Sequence, residues 1–129
     1  MSNIKKDTMC ILPWNHVYTN TDGIVGPCCI ANHGVYREDS LSISNYSVLE
    51  ATNSKFMKQL RVDMMNGIEN PACETCYYQE RLGNGSVRLG KNNGFKLIQF
   101  TYELEKKFII EKKIYFPFPI SFSHFPTKL

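Results

Sequence analysis

The chain has no apolar run approaching the length of a membrane-spanning helix, and its start, Met-Ser-Asn-Ile-Lys-Lys-Asp, lacks the apolar stretch of a secretory signal. It has no cysteine after residue 76 and a single tryptophan, Trp14. These absences argue against a membrane span and against export, so a cytoplasmic, reducing setting is expected. There, five clustered cysteines point to metal or redox chemistry rather than to disulfides. Also missing is a basic surface in the first part of the chain. Up to Leu89 eight Lys/Arg stand against nine Asp/Glu, a balance of −1; from Gly90 on seven stand against three, a balance of +4, which accounts for the net +3. The early cations are scattered among acids, so neither a nucleic acid nor a membrane is expected as partner. With 129 residues, 43% hydrophobic and 21% charged, the composition suits one domain with one small core, to which a metal centre can add stability.

What is present centres on Pro71-Ala-Cys-Glu-Thr-Cys-Tyr-Tyr78. Proline is favoured at a first helical position, and a helix opening there puts Cys73 and Cys76 on one face within its first turns. Free backbone N–H groups and the positive end of the helix dipole stabilise anions at that place, which favours thiolates. Two further cysteines, Cys10 and Cys28, lie far upstream.

In chain order, residues 1–9 read as a lead-in. In Cys10-Ile-Leu-Pro-Trp14, Pro13 argues against helix and Trp14 is expected to cap the core. Asn15 to Cys28 reads as a hairpin: His16-Val-Tyr-Thr-Asn20 is β-prone, Thr21-Asp22-Gly23 is a turn signal, and Ile24-Val25 resumes the strand. A hairpin brings its ends together, so Cys10 and Cys28 are expected to be neighbours. Ile30 to Ser47 reads as a loop. From Asn53 or Ser54, Phe56, Met57, Leu60 and Met64 recur at helical spacing as a core stripe, and Asn66-Gly67 ends that helix. The second helix is expected from about Pro71 to Leu82, stopped by Gly83-Asn-Gly85, after which Ser86-Val-Arg88 leads out of a domain spanning 10–89. The tail, 90–129, holds seven of the eight phenylalanines in its last 35 residues and shows no sustained period. It has three readings: a frameshifted or truncated, non-native end, a disordered segment, or a short amphipathic element that docks on a partner or membrane surface.

The expected fold class is α+β, a small hairpin followed by helices around a four-cysteine metal centre. Four thiolates from two separated segments suit a cubane iron–sulfur cluster or a tetrahedral zinc ion. Zinc ribbons present two tight cysteine knuckles, whereas here one side is split by a whole hairpin, which favours the larger cluster. A third alternative is a redox thiol pair, Cys73 and Cys76, although no strand precedes them as a thioredoxin-like unit requires.

The pattern Cys10-x12-Gly23-x4-Cys28, a gap, then Cys73-x2-Cys76 resembles the auxiliary-cluster domain of radical SAM enzymes known as SPASM, in its shorter one-cluster "twitch" form. Pro13-Trp14, Asp22-Gly23, Pro27-Cys28-Cys29, Leu60-Arg61, Met65-Asn-Gly67, and Glu80, Gly83, Ser86 and Arg88 add to the likeness, which covers about residues 8–90. It implies an α/β unit holding a 4Fe-4S cluster through Cys10, Cys28, Cys73 and Cys76, serving electron transfer or structural support beside a radical SAM core domain, in cis in a longer parent or in trans. The full form has further cysteines soon after the Cys-x2-Cys; Arg81, Leu82 and Gly83 stand there, so a second cluster is not expected. No Cys-x3-Cys-x2-Cys occurs either, the motif that holds the cluster cleaving S-adenosylmethionine. The chain is accordingly expected to be an accessory domain or fragment of a radical SAM enzyme. Cys29 competes with Cys28 as ligand or is a small buried hydrophobe. His16 and His33 are weaker ligand candidates. Trp14, Tyr77 and Tyr78 are expected to shield the centre from water, and Glu80 and Arg88 to pair, either anchoring the helix end or merely solvated.

Overall fold

In the computed structural model, which describes residues 8–94, a short segment leads into a single helical turn, α1 (Leu12–Asn15). Pro13 was expected to prevent helix here, but it sits in the first turn, where its missing N–H would have no intrahelical partner. The turn buries Leu12, Pro13 and Trp14.

The hairpin follows, shorter than expected: β1 (Tyr18–Thr19) pairs antiparallel with β2 (Val25–Gly26), Tyr18 opposite Gly26 and Thr19 opposite Val25. Its turn is closed by Gly23 N–H donating to Asn20 C=O at 2.8 Å, with Gly23 at φ +82°, and by the Asp22 carboxylate accepting from Ile24 N–H at 3.0 Å. Gly26 has a different reason to be glycine: a Cβ there would run into the Tyr36 ring.

The stretch expected to be a loop is more ordered than its polarity suggests. Asn32 caps a turn, α2 (His33–Tyr36), which runs into a 3₁₀ turn over Arg37–Asp39. Ser42 then bridges to Ile24 on the hairpin. A further helix, α3 (Val48–Thr52), opens with a capping box in which Ser47 and Glu50 satisfy each other's backbone N–H groups.

The longest helix, α4 (Lys55–Met65), is capped by Ser54 and ends at Asn66, with Gly67 at φ +76°. Its stripe of Phe56, Met57, Leu60 and Met64 is buried as expected and packs with Met9, Ile11, Trp14 and Tyr36 into one core. Each such fully buried side chain contributes about 1.5–3 kcal/mol. Arg61 is buried with them. Its Nε donates to Pro13 C=O at 2.8 Å and its Nη2 to Thr52 C=O at 2.6 Å, so one side chain ties α1 and the end of α3 to α4. Burial pulls its pKa down to about 9, which leaves it charged at neutral pH.

Asn70 caps a 3₁₀ turn over Pro71–Cys73, and α5 (Glu74–Arg81) continues from it until Gly83, at φ +84°. The chain does not lead outward after Arg88. Residues Val87–Gly94 form α6, with the Ser86 hydroxyl accepting Leu89 N–H at 3.1 Å. Arg88 and Asn92 are buried against the first described segment. The architecture is α+β, an antiparallel hairpin followed by helices. The tail readings for 95–129 and most of the lead-in fall outside the described residues.

Candidate metal centre

Three segments bring their cysteines to one cavity, which Cys10, Cys28, Cys73 and Cys76 line together. Leu12, Pro13, Pro27, Ile30, Met64 and Val87 give it apolar walls, and Thr75 and Arg88 complete it. Each segment is held by a separate device. Cys10 lies between Met9, whose C=O accepts from Arg88 Nη1 at 2.6 Å and from Asn92 Nδ2 at 2.9 Å, and Ile11, whose N–H donates to Asn92 Oδ1 at 2.9 Å. One residue further back, the Thr8 hydroxyl donates to Met64 C=O at 2.7 Å, and Tyr77 OH donates to Thr8 C=O at 2.7 Å. The segment carrying Cys10 is thus tied to α4, α5 and α6.

Cys28 follows β2 and Pro27 in a tight turn in which Ala31 N–H donates to Cys28 C=O at 3.3 Å. The next residue reaches the opposite wall: Asn32 N–H donates to Ala72 C=O at 2.9 Å, beside Cys73. Cys73 is the N-cap residue of α5 and Cys76 lies in its first turn. The Pro71 start was expected to be α-helical; it is 3₁₀, because the Asn70 side chain accepts Ala72 N–H at 2.9 Å and tightens the entry. Asn70 also donates to Asp63 at 3.0 Å, which fixes this knuckle to α4.

The sulfurs sense one another. Burial pushes the Cys10 thiol up to about 12; Leu12 N–H pulls it down, and the Cys28 and Cys76 sulfurs push it further up. Burial likewise raises Cys73, with Cys10, Cys28 and Cys76 each adding to the rise. Cys28 is raised by burial, against the pull of the Ile30 and Ala31 N–H groups. Left alone, these thiols stay protonated at neutral pH. A thiophilic metal centre held by these cysteines would take the place of those protons and neutralise thiolate charges that apolar walls would otherwise leave crowded together. Among the described residues, no three His, Cys, Asp or Glu side chains converge on a single-ion site. The four soft donors line one shared cavity, a donor set that suits a polynuclear thiolate-bound cluster or a tetrahedral zinc ion.

Cys29 is exposed and does not line the cavity. Neither do His16 and His33; His33 instead pairs with Asp22 at 3.1 Å. The expected aromatic shield is absent from the described walls, which are aliphatic. Trp14 sits in the main core, Tyr78 is 53% exposed, and Tyr77 is buried beneath Arg88, whose guanidinium carbon lies 5.2 Å from its ring centroid. Asn92 carried no signal as a side chain; the signal available was Ser86, a good N-cap residue, followed by Arg88 and Asn92 one helical turn apart.

A hairpin and short helices bring four thiols to the lining of one cavity, a donor set suited to thiolate-bound metal. The chain belongs to the SPASM family of iron–sulfur cluster-binding domains, whose family model matches residues 10–77, more than half of the sequence. Domains of this family occur with radical SAM cores. Comparison with curated proteins and with solved structures found no match. Among the described residues no helix is long and apolar enough to cross a membrane.

Proposed function

We propose that this chain binds one 4Fe-4S cluster through Cys10, Cys28, Cys73 and Cys76, and that the cluster is an auxiliary electron carrier for a radical SAM core domain. The observation that carries the reading is the shared cavity: the four cysteines of the pattern line it, and the fifth, Cys29, does not. Four cysteine ligands leave no open iron position, so electron transfer is favoured over direct substrate binding. The chain's own residues orient the ligands, exclude water with aliphatic walls, and place Arg88 beside the thiolates. The core is supplied in cis in a longer parent or in trans, and the working compartment is the reducing cytoplasm.

Anaerobic reconstitution of the full chain tests this. About four iron and four sulfide per brown chain support it, whereas a colourless chain holding a single zinc replaces it with a zinc-stabilised binding module. Cys10→Ala, Cys28→Ala, Cys73→Ala or Cys76→Ala is expected to lose cluster, and Cys29→Ala to keep it. Full retention by any of the first four means the ligand set is wrong.

A further inference from the structure

Arg88 is the single permanently charged side chain among the described residues lining the four-thiol cavity. Its side chain is only 6% exposed and cannot be replaced there by a solvent counterion. It is also immobilised: Nη1 donates to Met9 C=O at 2.6 Å, Nε donates to Glu80 Oε2 at 3.0 Å, Nη2 donates to Glu80 Oε1, and the guanidinium lies over Tyr77. Glu80 is held in turn by the Ser86 hydroxyl, at 2.5 Å, and does not itself line the cavity. Arg88 therefore reaches the cavity wall with its nitrogens turned to Met9 and Glu80, so its charge acts on the cavity through space and the Glu80 carboxylate offsets it. Both residues lie past residue 77, where the family-model match ends.

Building on the cluster reading above, we propose that Arg88 sets the reduction potential of the bound cluster, with Glu80 as its counterweight. Reduction of a cluster held there would add one electron, break no bond and raise the net negative charge by one. A fixed cation at the wall of a poorly solvated cavity stabilises that more negative state more than the oxidised one, which moves the midpoint positive. The neighbouring carboxylate opposes it. Arg88 thereby has two separable roles, holding the Cys10 segment through Met9 and biasing the electron equilibrium by charge.

The test is a redox titration of the reconstituted full chain with dithionite, which gives up electrons and is oxidised to sulfite, after iron has been counted in each variant. Arg88→Gln is expected to shift the midpoint to more negative potential, and Glu80→Gln, which keeps an acceptor for Arg88, to more positive potential. A purely structural role would change cluster retention without opposite shifts. If Arg88→Gln fails to load, Glu80→Gln decides alone: a wild-type midpoint there overturns the inference. A wild-type chain that takes up no cluster overturns the proposed function and this inference together. A loaded wild type whose variants show no shift overturns this inference only.

Discussion

The Asn92 side chain accepts the backbone N–H of Ile11 at 2.9 Å, across 81 positions of sequence. Its amide also donates to Met9 C=O, so one residue on α6 holds both neighbours of Cys10. Asn92→Leu keeps much of the volume but leaves that buried N–H without its partner and weakens the hold on Met9. Unfolding by urea should show a loss of about 2–4 kcal/mol, and iron retention after reconstitution should fall in parallel. An unchanged midpoint with full iron content would show that α6 does not organise the Cys10 segment.

Arg61 makes a comparable link inside the core. Arg61→Met removes the donors that satisfy Pro13 C=O and Thr52 C=O, both interior acceptors, while retaining an apolar stem. The expected cost is about 2–4 kcal/mol in chemical denaturation. Arg61→Lys should recover part of it, because a lysine cannot reach both carbonyls with one planar fork.

Gly26 and Tyr36 are expected to be energetically coupled. A methyl group on Gly26 would overlap the Tyr36 ring, whose OH accepts from Asn20 at 2.8 Å. Gly26→Ala alone should destabilise by about 1–3 kcal/mol. In a double-mutant cycle with Tyr36→Leu the combined loss should be smaller than the sum of the two single losses. Strict additivity would mean that the strand and the ring do not meet in solution.

Glu80 supplies a pH signature. Burial would raise its carboxyl, but hydrogen bonds from Arg88 and Ser86 and the Arg88 charge outweigh that and hold it below the ordinary value of 4.5. A depressed carboxylate contributes stability above its unfolded pKa and loses it as pH falls through the lower folded value. Wild type should therefore exceed Glu80→Gln in unfolding free energy at pH 7, measured with urea, by an amount on the order of 1–3 kcal/mol. The gap should close as pH drops below 4.5, and a gap independent of pH would mean that the carboxylate charge is not what matters.

Local signals were reliable wherever a few adjacent residues decide the backbone. Thr21-Asp22-Gly23 turns the hairpin, Ser54 starts α4 and Asn66-Gly67 stops it, each through a bond or a φ value confined to a few neighbours. The capping box of Ser47 and Glu50 was equally local but lay within polar sequence whose lack of a core stripe concealed α3. Pro13 misled because proline forbids helix only in the interior, and whether a turn begins just before it depends on what buries Leu12 and Trp14. Arg61 and Asn92 gave no sign of burial, since their partners are backbone groups far away in the chain.

By itself the sequence determined the donor chemistry: which thiols are present, the Cys73-x2-Cys76 spacing that one helical start presents together, and the polar turns that separate the elements. Only the tertiary structure decided that Cys10 and Cys28 reach that start, that Cys29 is left outside, and that Arg88 joins the cavity wall. Spacing within a turn is set by bond geometry, but a meeting across the chain is set by long-range packing and hydrogen bonds, and those exist only once the whole domain has closed.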